Sequence, residues 1–172
     1  VALLKGAKQE IIERSISKMI LTAGGRTFIR TLKRLGYKVA IISGGFAPFT
    51  DHLARELDLD HAYSNTLQVV DGVLTGEVEG DIIDADRKAS LLEDIALREG
   101  IPLEQTVAIG DGANDLPMLK KAGLGIAFNA KPALREAADT ALNVPYLDAI
   151  LFMLGVSREE VEAADALDTN FQ

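Results

Sequence analysis

Residues 106–115 read Thr-Val-Ala-Ile-Gly-Asp-Gly-Ala-Asn-Asp, so three oxygen-bearing side chains, Asp111, Asn114 and Asp115, fall within five positions. The apolar run before them has the pattern of a buried strand. Gly110 and Gly112 would let the backbone turn sharply where that strand ends. Carboxylates crowded at one turn repel each other unless a cation sits among them, and hard oxygen ligands suit Mg²⁺. Open α/β sheets bind ligands outside the carboxyl ends of their strands. The expectation is therefore metal-assisted phosphate chemistry. A polar cap on an ordinary strand-to-helix turn would explain Asp115, but not all three side chains.

Two further groups fit phosphate. Ser43-Gly44-Gly45 follows an apolar run and precedes a helical pattern. A hydroxyl with free backbone N–H groups at such a turn can hold phosphate oxygens, although a plain glycine-rich turn would look the same. Lys88, in Asp84-Ala85-Asp86-Arg87-Lys88, is either a solvated helix-face cation or a compact positive charge for a phosphate. Asp84 and Asp86 form an Asp-x-Asp pair, but as acids at a helix start they suit the helix dipole. Asp71, in Asp71-Gly72, suits a hairpin turn better than catalysis. His52 and His61 are isolated and read as structural.

These residues need a frame to hold them. Helical spacing predicts helices over 8–20, 26–35, 48–57, 86–99, 115–121, 132–138 and 147–154. Asp115 is the expected cap of the fifth. Apolar runs predict strands over 38–42, 106–109, 124–128 and 141–144, with a hairpin over 67–75. Alternating strand and helix implies an α/β fold: a doubly wound, mostly parallel, Rossmann-like sheet with a small β-hairpin. Residues from 157 onward are acidic and read as a frayed helix or tail.

The chain has 172 residues, 48% of them hydrophobic, with a net charge of −8, two histidines and no cysteine. That suffices for one domain with a core. It argues against nucleic acid and anionic membranes as partners and excludes disulfides and thiolate metal sites. The cytoplasm is the default location. The sequence begins at Val1 rather than Met and reads as part of a longer polypeptide.

Taken together, Ser43-Gly44-Gly45-Phe46, Lys88 at a helix start and Gly110-Asp111-Gly112-Ala113-Asn114-Asp115 resemble the haloacid dehalogenase-like phosphatases. The resemblance extends through Asp71-Gly72, Gly80-Asp81-Ile82, Ile101-Pro102-Leu103 and Leu116-Pro117-Met118, over roughly residues 22–155. Within the family it is nearest to enzymes acting on O-phosphoserine. It implies a haloacid dehalogenase-type core using Mg²⁺ and a covalent aspartyl-phosphate. Ser43 and the N–H of Gly44 would bind phosphate, Lys88 would bind phosphate and restrain the nucleophile, and Asp111 would hold the metal. Asn114 and Asp115 would contact the phosphate or orient the metal shell and Lys88, with Asn114 counted among the phosphate-binding residues and Asp115 among the catalytic ones.

The family's first motif, an apolar strand ending Asp-x-Asp-x-Thr, is not in these 172 residues. By the resemblance, residues 1–20 are the end of a mostly missing helical cap, 21–156 the core and 157–172 a tail. That first strand belongs in the middle of the sheet. Its loss would expose two rows of backbone donors and acceptors at about 1–3 kcal/mol per unpaired buried group. A preceding segment or another chain is the expected partner completing the sheet, and a homodimer is compatible with the sequence. The alternatives are a phosphatase of another small phosphate ester, or a phosphate- or Mg²⁺-binding module without catalysis. A dinucleotide binder would need G-x-G-x-x-G, which residues 110–115 lack.

Overall fold

The computed structural model describes residues 1–167. Strands β4 (Val107–Gly110), β5 (Leu124–Phe128) and β6 (Thr140–Leu142) form a parallel sheet in that order. Their side chains alternate between two cores. Ile126 and Phe128 pack with Phe28, Leu32, Ile150 and Leu151, joined by Val107 and Ile109. Ala108 and Ala127 face the other way, onto Met118, Leu119 and Leu134. Burial on both faces explains why these strands are apolar at successive positions. The first core is closed by α2 (Gly25–Arg34) and α7 (Ala149–Met153), the second by α4 (Ala85–Glu99), α5 (Leu116–Lys121) and α6 (Pro132–Ala137).

A second sheet has the order β1 (Ala40–Phe46), β2 (His61–Val70), β3 (Val73–Glu79). β1 and β2 are parallel, joined through α3 (Ala47–Leu57), whereas β2 and β3 form an antiparallel hairpin. The turn is the expected Asp71-Gly72, with both residues at positive φ, 51° and 75°. That geometry matches the twist of the flanking strands. Residues 1–20, including α1 (Glu10–Ile16), lie against this hairpin. Ile12 packs with Leu67 and Leu74, and Gly6, Ala7 and Gln9 exchange backbone hydrogen bonds with Leu74 and Gly72.

The doubly wound α/β class holds, but the parallel sheet is split. Among the described residues, β1 and β4 do not pair. Between them runs a cavity of about 670 Å³, lined on one side by Ala40, Ile41 and Ile42 and on the other by Val107, Ala108 and Ile109. Helices α2 and α4 flank this slot. Four residues of strand, about 13 Å, would match the length of β4.

Several boundaries differ from expectation. The strand expected over 38–42 starts at Ala40 and runs through Ser43-Gly44-Gly45 to Phe46. Residues 43–45 bulge, because Ile42 pairs with Tyr63 while Phe46 pairs with Asn65. The parallel part of β2, over 61–65, was not anticipated. Its mixture of Tyr, Ser and Asn carries no clear alternation, and pairing with β1 decides its conformation. The helix expected over 8–20 spans only Glu10–Ile16. Ser15 and Ser17 bond the carbonyls of Ile11 and Arg14, which competes with the helix ladder.

The acidic stretch from Ser157 takes the helical one of its two expected readings, as α8 (Arg158–Ala166). A reciprocal Ser157–Glu160 capping box holds it, and Asp165 accepts from Arg30 of α2. The hydrogen bonds from Ser157 hold the Glu160 carboxyl below the usual glutamate range. Residues 168–172 of the expected tail lie outside the described residues. No helix among the described residues is long and apolar enough to cross a membrane.

At the amino ends of β1 and β2 lies a charged network. Asp60 accepts from Val39 N–H at 2.8 Å and Lys33 at 3.0 Å, with Lys38 at 3.5 Å. Lys38 also approaches Glu99, which meets His61 at 2.7 Å. Burial opposes ionisation of Asp60, but the Val39 N–H and the two lysines outweigh it and hold its carboxyl below the usual range. The hydrogen bond to Asp60 raises Lys33 in return.

Candidate active site

The carboxyl ends of β1 and β4 place the remaining candidates. Lys88 stands in the first turns of α4, whose start is set by Asp84: the Asp84 carboxylate accepts from Arg87 N–H at 2.8 Å. Asp84 thus caps the helix, and Asp86 lies in its first turn, where the dipole reading placed both acids. Because α4 packs against β1, α5 and the turn over Ala113–Asp115, Lys88 lies between the two walls.

Lys88 is buried, 5% exposed, and its Nζ donates to Asp115 Oδ1 at 2.7 Å. Asp115 is 6% exposed. Its other oxygen accepts from the N–H groups of Asp111 at 3.2 Å and Gly112 at 3.0 Å. The Asp115 carboxylate thus turns back onto the loop before it. It does not cap α5 with its side chain, which corrects the sequence expectation. A buried lysine without this partner would be costly to keep charged.

The same loop bears on two glycines. A Cβ on Gly110 would lie 2.5 Å from the Cβ of Asp115, and one on Gly112 would lie 2.5 Å from Asn114 Oδ1. Close approach to the Asp115 Cβ therefore selects glycine at 110, whereas the atom met at 112 is the movable end of the exposed Asn114 side chain. Gly112, with φ −108°, has ordinary extended backbone. The folded loop leaves Asp111 and Asn114 exposed. No hydrogen bond or ion pair engages the Asp111 carboxylate among the described residues, so its oxygens are available to a cation.

On the opposite wall, Ser43 Oγ accepts from Gly45 N–H at 3.0 Å, and Gly44 is exposed. Sequence reasoning missed one residue of this wall, Asn65 on β2. It is buried, and it bonds Gly44 O at 2.9 Å and Ile83 N at 2.8 Å. No local signal marked it, because the strand that carries it was not itself expected. The decoys stay apart from chemistry: Asp71 forms the hairpin turn, and His52 and His61 pair with Glu56 and Glu99.

The structure thus brings Lys88, Asp111, Asn114 and Asp115 together and sets Ser43 and Gly44 across the slot. Strand order and loops define an α/β domain whose polar side chains gather at the carboxyl ends of parallel strands. Residues 1–120 match the haloacid dehalogenase-like hydrolase family, and the chain belongs to it.

The chain is 59% identical over 167 residues to a phosphoserine phosphatase of Streptomyces coelicolor, covering 97% of this chain and 41% of the relative. It also superposes on solved structures. One is a probable phosphoserine phosphatase from Vibrio cholerae in unliganded form, with TM-score 0.85, 39% identity and coverage of 96% of this chain and 50% of that one. Another is a phospho-aspartyl intermediate analogue of phosphoserine phosphatase, with TM-score 0.84, 47% identity and coverage of 88% and 73%. The chain thus spans about half or less of the first two.

Among the described residues, no group of three His, Cys, Asp or Glu side chains could hold a metal alone. Mg²⁺ is usually held by one or two carboxylates, with waters and substrate phosphate completing the shell. The unengaged Asp111 carboxylate fits one such position.

Proposed function

We propose that this chain supplies the phosphate- and metal-holding part of a Mg²⁺-dependent phosphatase that hydrolyses O-phosphoserine to serine and phosphate. The observation that carries the reading is the buried Lys88–Asp115 pair, 2.7 Å apart, beside the exposed, unengaged Asp111. The names of the relatives support the substrate.

In this reading Asp111 holds Mg²⁺. The bound ion offsets the repulsion between an anionic nucleophile and the phosphoryl group. Lys88, Ser43, Asn114 and the N–H of Gly44 bind phosphoryl oxygens, where charge spreads in the transition state. Asp115 keeps Lys88 oriented inside the protein.

The slot between β1 and β4 takes a further strand, from a preceding segment or another chain. That strand brings the attacking carboxylate in line with phosphorus. The phosphoryl group passes to the carboxylate, the serine oxygen leaves with a proton from the second acid of that strand's Asp-x-Asp pair, and water, losing a proton to the same group, hydrolyses the acyl-phosphate. Solvation of the slot-facing backbone groups is then replaced by two ladders of hydrogen bonds.

The test uses the complete polypeptide carrying these residues. It releases phosphate from phosphoserine with Mg²⁺, and chelation stops the release. Lys88→Ala lowers kcat by several orders of magnitude. Absence of Mg²⁺-dependent hydrolysis, or a mild effect of Lys88→Ala, overturns the reading. The strand is tested separately: an apolar peptide ending Asp-x-Asp-x-Thr raises the melting temperature of the 172-residue chain, and no rise refutes occupation of the slot.

A further inference from the structure

Asn65 belongs to none of the groups assigned above, yet it is 7% exposed, with both polar atoms of its amide engaged. Its Nδ2 donates to Gly44 O at 2.9 Å, and its Oδ1 accepts from Ile83 N–H at 2.8 Å. It sits opposite Phe46 in the β1–β2 register, just past the three-residue bulge. Residues 43–45 have left the ladder there, so their peptides lack the strand pairing that would fix their orientation. A side chain has to supply it.

In a trans peptide the C=O and N–H point in opposite directions. Holding Gly44 O toward Asn65 therefore turns Gly45 N–H the other way, where it donates to Ser43 Oγ at 3.0 Å. That bond occupies an acceptor position on the Ser43 oxygen. The hydroxyl proton is left to donate outward, as an anionic phosphoryl oxygen requires. The second bond, to Ile83, anchors the segment that leads through Asp84 into α4 and Lys88. One amide thus ties the Ser43 wall to the start of the helix carrying the lysine.

We propose that Asn65 is a positioning residue that fixes the Gly44–Gly45 peptide and so presents Ser43 as a hydrogen-bond donor to phosphate. This rests on the phosphatase reading for the identity of the ligand, but not for the orientation of the peptide. Asn65→Asp keeps the oxygen that accepts from Ile83 and replaces the donor to Gly44 with another acceptor.

Two measurements decide it. In the 172-residue chain, the Gly45 amide resonance shifts in Asn65→Asp and its hydrogen exchange speeds up at least about tenfold, as expected for a lost hydrogen bond. In the complete polypeptide, the inhibition constant of inorganic phosphate rises about tenfold in Asn65→Asp. It rises by much less when Asn65→Asp is added to Ser43→Ala, because the two act along one path. A Gly45 amide indistinguishable from wild type overturns the proposal, and so does a phosphate effect that is fully additive with Ser43→Ala. Should Asn65→Asp fail to fold, Asn65→Ser is read out the same way. If the complete polypeptide hydrolyses no phosphate ester, the phosphatase reading falls, while the Gly45 resonance still decides the role of Asn65.

Discussion

At the amino ends of β1 and β2, Asp60, Lys33, Lys38, Glu99 and His61 answer one another within 3.7 Å or less. At the carboxyl ends, Lys88 and Asp115 are closed in this way, while Asp111, Asn114 and Gly44 stay exposed. Both networks set polar groups at strand ends. The first uses its charges on the protein itself. The second buries one pair so that the loop around it can present unengaged groups to solvent. On the proposed function, stability and ligand binding separate by residue: substitutions in the first network register in stability, and those at Asp111 would register in binding.

The largest expected effect breaks this division. Asp115→Ala leaves a buried ammonium without its partner and costs about 3–5 kcal/mol. It also releases the Asp111 and Gly112 N–H groups, so the loop loses its shape. Thermal denaturation measures the loss, and Lys88→Met in the same chain recovers part of it. A small effect of Asp115→Ala would mean that the pair is not tightly buried.

Asp111→Asn is the converse. Stability changes by no more than about 0.5 kcal/mol, as for most exposed positions. Mg²⁺ affinity, read by calorimetry on the complete polypeptide, weakens by more than about tenfold, or 1.4 kcal/mol. Unchanged affinity removes Asp111 from the metal site.

Asp60→Asn costs about 1–2 kcal/mol near neutral pH, since the lost bonds are partly exposed. Its pH dependence sharpens the comparison. The folded-state pKa of Asp60 is lowered, so its contribution is complete above the unfolded pKa and disappears as pH falls through the folded value. The gap in melting temperature between wild type and Asp60→Asn therefore narrows as pH drops below about 4. Lys33, whose pKa is raised, stays charged throughout that window. A gap that widens in acid would contradict the network.

The smallest effect lies outside both networks. Ser157→Ala removes the cap of α8 and costs about 1 kcal/mol, leaving Mg²⁺ and phosphate binding unchanged. A binding change would show that α8 is coupled to the site.

How much was legible follows the range of the interactions. β4 and β5 were legible because their own residues are apolar at successive positions, and the Asp71-Gly72 turn because its chemistry is local. Asp111 was visible from crowding, and Lys88 from its resemblance to a family pattern. The direction of the Asp115 carboxylate was not visible, since a cap and a loop clamp use the same residue. The β1 bulge, the parallel part of β2 and the role of Asn65 depend on residues about 20 positions apart meeting in space, and no local pattern encodes that. The short α1 and the ordered α8 turned on serine hydroxyls. Those of Ser15 and Ser17 bond carbonyls and end a helix, whereas that of Ser157 caps one.

The slot between β1 and β4 has a consequence for how copies of this chain meet. It gives one molecule two facing strand edges, and unpaired edges are templates for pairing with another chain. With the slot open, each half-sheet is a candidate for exchange between molecules, at a rate that grows with concentration. Light scattering of the 172-residue chain should therefore show self-association that a slot-filling peptide suppresses. The strand that completes the sheet would then also act as its guard against aggregation.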